Sequence, residues 1–192
     1  MIIEKHKLIF VHIIKTAGVS IETQYGVDTH DHRTALQYKT ELGEASYKDH
    51  FSFTVTRNPW DKMVSQYFYN AFNWVPKGSS FKDYIKVFGE GKQITRFSPY
   101  HLPYITDEKN KIIVDYIGRF EELEKTMRVV SKESGIPYQP LPHKNKTKRN
   151  RDYTHYYDDE TREIIARLFK EEIELFDYEF GREKGCKSYL KR

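Results

Sequence analysis

The chain predicts an α/β fold with a mainly parallel sheet, and three observations carry that reading. Apolar runs at 8–14, 51–56 and 112–117 have the length and β-branched or aromatic content of buried strands. Each run passes through a polar or charged segment into a stretch with helical spacing. No internal repeat or Gly/Ser-rich linker divides the 192 residues, so a single domain over 1–192 is expected.

The first strand reads Leu8-Ile9-Phe10-Val11-His12-Ile13-Ile14 and ends in Lys15-Thr16-Ala17-Gly18-Val19-Ser20. A helix is predicted from near Gly18 through Ile21, then a histidine-rich turn over 26–33 and a short helix from Thr34 to about Leu42. The second strand, 51–56, runs into Arg57-Asn58-Pro59. Asn58 as N-cap and Pro59 at the first helical position mark a helix start. Trp60, Met63, Val64, Tyr67, Phe68 and Ala71 then recur as a core-facing stripe, with Ser65 outside it. Residues 80–88 suggest a short helix, and 89–110 a long surface excursion of the kind that often binds an acceptor. The third strand is placed at 112–117, and a helix over 121–133 stops at Gly135. Residues 139–153 are basic and irregular, and Asp158 caps a final helix reaching Phe176.

Composition narrows the function classes. With 38% hydrophobic, 15% aromatic and 31% charged residues, wholesale disorder is excluded. A net charge of +4 permits an anionic ligand without demanding nucleic acid. No stretch approaches the ~18 apolar residues of a membrane span. The first residues lead straight into a strand, which leaves no room for a signal peptide. The single cysteine, Cys186, allows no internal disulfide, so a cytoplasmic setting is expected.

Ligands of such sheets bind beyond the C-terminal ends of the strands, where Lys15 and Arg57 both fall. Lys15, Thr16, Gly18 and Ser20 offer a cation, two hydroxyls and a close backbone approach, which is phosphate-binding chemistry. The same residues would also make a capped helix with an exposed lysine. Arg57 and Ser65, eight residues on, form a second candidate anion site, or else an ion-paired Arg and an exposed helical Ser. The G-x-x-x-x-G-K-[ST] spacing of a Walker A loop is absent, which counts against an ordinary ATPase.

Taken together, these segments resemble the sulfotransferases that use 3′-phosphoadenosine 5′-phosphosulfate (PAPS), especially the carbohydrate-type family. F-V-H-I-x-K-T-A-G-x-S is similar to that family's 5′-phosphosulfate loop, and V-T-R-N-P-W-D-K-M-V-S-Q-Y to its 3′-phosphate signature. V-D-Y-I-G-R-F-E-E-L-E and L-P-H-K-N-K-T-K continue the likeness in the family's order. Two positions depart from it: Ile14 stands where members usually carry Pro, and Val19 where they carry Thr. The lost hydroxyl is worth ~1 kcal/mol, enough to weaken donor binding several-fold.

The resemblance implies a three-layer fold like that of the P-loop nucleoside triphosphatases, with PAPS across the strand ends and 3′,5′-ADP as product. It implies that Lys15 contacts the 5′-phosphate and the bridging oxygen. Thr16, Ala17, Gly18, Val19 and Ser20 would supply donors, and Arg57 and Ser65 would hold the 3′-phosphate. Asn145, Lys146, Thr147 and Lys148 would belong to a segment closing over the donor. The acceptor would be a hydroxyl, on a carbohydrate or glycoconjugate.

Sulfuryl transfer to an alcohol needs positioning, charge stabilisation and a base. Histidine suits the base role, and the candidates are His32, favoured, and His30. His12 reads as a satisfied core residue. His30, His32 and nearby aspartates could suggest a metal, but no Cys or H-x-x-x-H pattern supports one. Trp74, Tyr100 and Tyr104 are candidate acceptor contacts. The competing readings are a nucleotide kinase or other phosphotransferase, a degenerate binding module of the same fold, and a basic nucleic-acid binder using 143–151.

Overall fold

The computed structural model describes residues 1–27, 29, 31–142, 149–182 and 189–190. Five strands form one sheet in the order β1 (Ile2–Ile3), β2 (Leu8–Val11), β3 (Phe51–Thr56), β4 (Tyr116–Arg119) and β5 (Tyr189–Leu190). The central strands β2, β3 and β4 are parallel, with Leu8 opposite Phe51 and Phe53 opposite Tyr116. The short edge strands β1 and β5 pair antiparallel.

Alternation along the strands splits the core in two. Ile9, Val11 and Ile117 join one apolar cluster, with Trp60, Met63 and Val64 of α4 (Pro59–Asn70) and Tyr84, Ile85 and Phe88 of α5 (Phe81–Gly89). Leu8, Phe10, Phe53, Val55 and Tyr116 join the other, with Ile21 of α1 (Gly18–Gln24) and Met127 and Val130 of α7 (Leu123–Ser134). The sheet is therefore buried on both sides, which is why its central strands read as continuous apolar runs.

Several helix starts carry a side-chain cap. Thr34 opens α2 (Ala35–Leu42) with a capping box, Ser80 opens α5 with another, and the Asn58 side chain accepts from Trp60 N–H at the head of α4. The helix α3 (Glu44–Asp49) leads into β3. Gly135 ends α7 at φ 70°, a left-handed position that suits glycine.

The structure corrects four expectations. The third strand lies at Tyr116–Arg119, while Ile112 makes only an isolated bridge to Thr106. Gly118 belongs in this strand because a Cβ there would collide with the Thr126 side chain of α7. The excursion over 89–110 is not all surface: His101 is fully buried and precedes a short helix, α6 (Leu102–Ile105). The final helix is two, α8 (Asp159–Leu168) and α9 (Lys170–Phe176), separated at Phe169. The α4 stripe also shifts, with Ser65 buried and Phe68 exposed.

Candidate functional site

Between β2 and α1 the backbone turns through two left-handed residues, Lys15 (φ 63°) and Ala17 (φ 71°). Non-glycine residues pay roughly 1–2 kcal/mol each for this conformation. Alternation of this kind gathers successive N–H groups into an anion-binding hollow. The Thr16 hydroxyl donates to Ile13 O at 2.9 Å, so it closes the turn. Ser20 is buried on α1, and Val19 half-buried.

Gly18 has a reason in its neighbour: a Cβ at this position would occupy the space of the His12 imidazole. Gly18→Ala is therefore expected to destabilise the fold by about 1–3 kcal/mol, read by chemical denaturation. Wild-type stability in that variant would show that the ring can move aside.

His12 is buried at the end of β2 and shares a hydrogen bond with Glu22 of α1, 2.9 Å from Nδ1. The His32 ring lies against it, centroids 4.3 Å apart, with Phe97 4.3 Å away from His32 in turn. Nδ1 of His32 is 2.9 Å from His12 O. A carbonyl only accepts, so Nδ1 carries the proton and Nε2 of neutral His32 carries the lone pair. Burial pulls the His32 pKa below its ordinary value. The His12 carbonyl and the Glu22 and Asp31 carboxylates oppose that shift.

At the end of β3, Arg57 folds back over the head of α4. Its Nε and Nη2 donate to Asp61 Oδ2 at 2.8 and 2.6 Å. Its Nη1 donates to Lys15 O at 2.9 Å, which ties the two strand-end turns together. Its guanidinium lies over the Phe120 ring, 3.9 Å from the centroid. The other Asp61 oxygen accepts from Arg149 Nη2 at 2.8 Å. Lys15 Nζ sits over the Tyr69 ring at 3.9 Å. Burial, reinforced by Arg57 and Arg149, pushes the Lys15 ammonium down to about 8. Ser65 is buried further along α4 and makes no hydrogen bond with Arg57 among the described residues.

A buried network supports Arg57 from behind. The Arg57 N–H donates to His101 Nε2 at 3.3 Å, and His101 Nδ1 is 2.6 Å from Glu172 Oε2. Burial, with Lys62 nearby, lowers His101 to about 4, so it is neutral and able to accept. Lys62 is itself buried, donates to Pro99 O at 2.6 Å, and is lowered by burial to about 7.

Lys15, Thr16, Ala17, Gly18, Val19 and Ser20 thus share one turn that Arg57 joins to the second, and His32 meets the first turn through His12 and Gly18. His30, Asn145, Lys146, Thr147 and Lys148 lie outside the described residues. Tyr104 is buried, and Tyr100 packs on Phe169, which makes both core rings rather than free acceptor contacts. Trp74 is half-buried, with its Nε1 buried and unpaired. The exposed rings beside the site are Tyr69 and Phe97. Sequence reasoning missed Asp61, Arg149, Glu22 and His101. Only Asp61, one helical turn beyond Arg57, left a signal in the spacing. Among the described residues, no group of three or more His, Cys, Asp or Glu could hold a metal.

The sequence model of the sulfotransferase family matches residues 1–179. The chain belongs to the sulfotransferase family. This family membership makes it a transferase that moves a sulfuryl group to an acceptor hydroxyl. A protein of Archaeoglobus fulgidus, named only as uncharacterized, is 30% identical over 105 residues, 54% of this chain and 82% of that protein. No solved structure gives a significant match. No described helix of this sulfotransferase is long and apolar enough to cross a membrane.

Proposed function

We propose that the chain is a PAPS-dependent sulfotransferase acting on a hydroxyl of a carbohydrate or glycoconjugate. The observation that carries this reading is the Arg57 link from Lys15 O to Asp61, which joins two cation-bearing strand-end turns into one site. A donor with separate 5′ and 3′ anionic groups needs two such turns side by side. The apolar clusters on both sides of the sheet support the three-layer, P-loop-like arrangement, and the family match over 1–179 supports one domain spanning 1–192. The lone cysteine favours a cytoplasmic setting.

The donor supplies an activated sulfuryl group, with 3′,5′-ADP as the leaving group. Lys15 and the N–H groups of the 15–20 turn hold the 5′-phosphate, and Lys15 neutralises charge developing on the bridging oxygen. Arg57 and Ser65 hold the 3′-phosphate. Nε2 of His32 takes the acceptor hydroxyl's proton as that oxygen bonds to sulfur and the sulfur–oxygen bond to the phosphate breaks. His30 is the second candidate for this base, and Asn145, Lys146, Thr147 and Lys148 complete the donor site. Tyr69 beside Lys15 and Phe97 beside His32 offer flat faces to a sugar ring.

Calorimetric titration tests the reading. The expected result is tighter binding of 3′,5′-ADP than of ATP, and a roughly 10–100-fold loss in Arg57→Ala, as befits charge-assisted hydrogen bonds of ~1.5–3 kcal/mol. Equal affinity for the two nucleotides would return the site to the phosphotransferase or binding-module readings.

A further inference from the structure

Glu22, on α1, is only 1% exposed and has no part in the scheme above. A carboxylate at that depth is costly unless the groups around it are fixed to receive it. Those groups belong to separate pieces of the candidate site. Glu22 Oε1 accepts from His12 Nδ1 at 2.9 Å, directly after β2. The same oxygen accepts from the Thr29 hydroxyl at 3.3 Å, in the segment that leads to His32. The backbone repeats this tie, because Glu22 O accepts from the Val27 N–H at 2.9 Å where that segment leaves α1.

The carboxylate also settles the His12 tautomer. A carboxylate accepts, so Nδ1 carries the proton, and Nε2 lies against Gly18 in the 15–20 turn. An imidazole anchored at Nδ1 presents a fixed face to the His32 ring, 4.3 Å away. His12 then holds His32 twice, by that face and by its carbonyl on His32 Nδ1. Burial lowers the His32 pKa and the His12 ring adds to that, while the Glu22 and Asp31 carboxylates oppose it. Asp31 is itself bound by Arg33, and the other face of His32 meets the apolar Phe97 ring.

We infer that Glu22 is a positioning residue, which acts through His12 and Thr29 to set the segment carrying His32 in register with the 15–20 turn. This rests on the reading of His32 as the base. The Glu22 charge has a second effect, since a carboxylate near an imidazole makes it a stronger base.

The test pairs proton NMR titration of the His32 imidazole, assigned by its loss in His32→Ala, with steady-state kinetics. The variants are Glu22→Gln and Glu22→Leu, their folding confirmed by circular dichroism. Glu22→Gln keeps an acceptor for His12 and loses the charge. His32 is expected to titrate at lower pH in it, and kcat to fall about 3–10-fold with the weaker base. Glu22→Leu loses the acceptor too. Its kcat is expected to fall about 10–100-fold while 3′,5′-ADP affinity stays within about twofold. Thr29→Val cuts only the outer tie and takes the place of Glu22→Leu if that variant does not fold, with kcat expected to fall about 2–5-fold. A carboxylate that merely stabilises the fold would leave the titration and kcat alone. An unmoved His32 titration in Glu22→Gln would therefore overturn the inference, as would wild-type kcat in Glu22→Leu or its substitute. If His32→Ala keeps its kcat, the base reading falls by itself. The titration then decides for Glu22: a displaced His32 pKa retains it as the group that holds the ring, and an unmoved one removes it.

Discussion

His32→Ala is expected to lower kcat by roughly 10²–10⁴-fold while 3′,5′-ADP affinity stays within about twofold. The split follows from where His32 stands. Its Nδ1 is committed to the His12 carbonyl and its ring is held between His12 and Phe97, while Lys15 and Arg57 occupy the turns proposed to receive the donor. Nothing that binds the nucleotide is removed, and the group with the free lone pair is. Steady-state kinetics with an acceptor alcohol, paired with calorimetry on the same protein, measures both halves. A kcat near wild type would move the base to His30. A parallel loss of nucleotide affinity would make His32 a structural support of the turn.

Lys15→Met is expected to lower kcat/KM for the donor by roughly 10²–10³-fold, the scale of removing one preorganised charge from a leaving oxygen. The pH profile carries the sharper statement. As the proposed base, His32 would work only when deprotonated, so kcat/KM is expected to rise through its pKa, which burial holds below the ordinary imidazole value. In its proposed role Lys15 would work only when protonated, so kcat/KM is expected to fall as pH passes about 8. A bell with its descending limb near pH 8 is expected for the free enzyme. In the donor complex the phosphates stabilise the ammonium, and the descending limb of kcat should move upward. Lys15→Arg should lose the descending limb while retaining part of the rate, because guanidinium does not titrate in this range. A limb that stays near pH 8 in Lys15→Arg would assign it to another group, for which buried Lys62 is the alternative.

The parts of the fold legible in the sequence are those set by local chemistry. The runs 8–14 and 51–56, the caps at Thr34, Asn58, Ser80 and Asp158, and the stop at Gly135 all act within a few residues. The bounds of the third strand were not legible because its residues answer to partners elsewhere. Gly118 is there to admit Thr126, and Arg119 is buried beneath Tyr178, bonded to the Phe176 carbonyl. Ile112 and Ile113, the better strand formers, serve a bridge and the core instead. The site divides in the same way. Lys15 and Arg57 could be read because each ends an apolar run. Arg149 with Asp61, and His101 with Glu172, meet across 88 and 71 residues, and no spacing rule connects them. Ser65 falls outside the apolar stripe by spacing and is nevertheless buried, since α4 is covered on more than that stripe.

The ladder of rings Phe10, His12, His32 and Phe97 has a consequence for how the enzyme could diversify. Its first two rungs belong to β2 and the turn that follows it, and its outermost rung to the segment after α5. The proposed base, His32, therefore takes its alignment from β2 and the turn after it, while the outermost rung, Phe97, is carried by a stretch without regular structure. Inheritance of new acceptors would fall on that outer stretch, with the proton-accepting step left untouched. Such a division lets one lineage explore many alcohols without reinventing its chemistry.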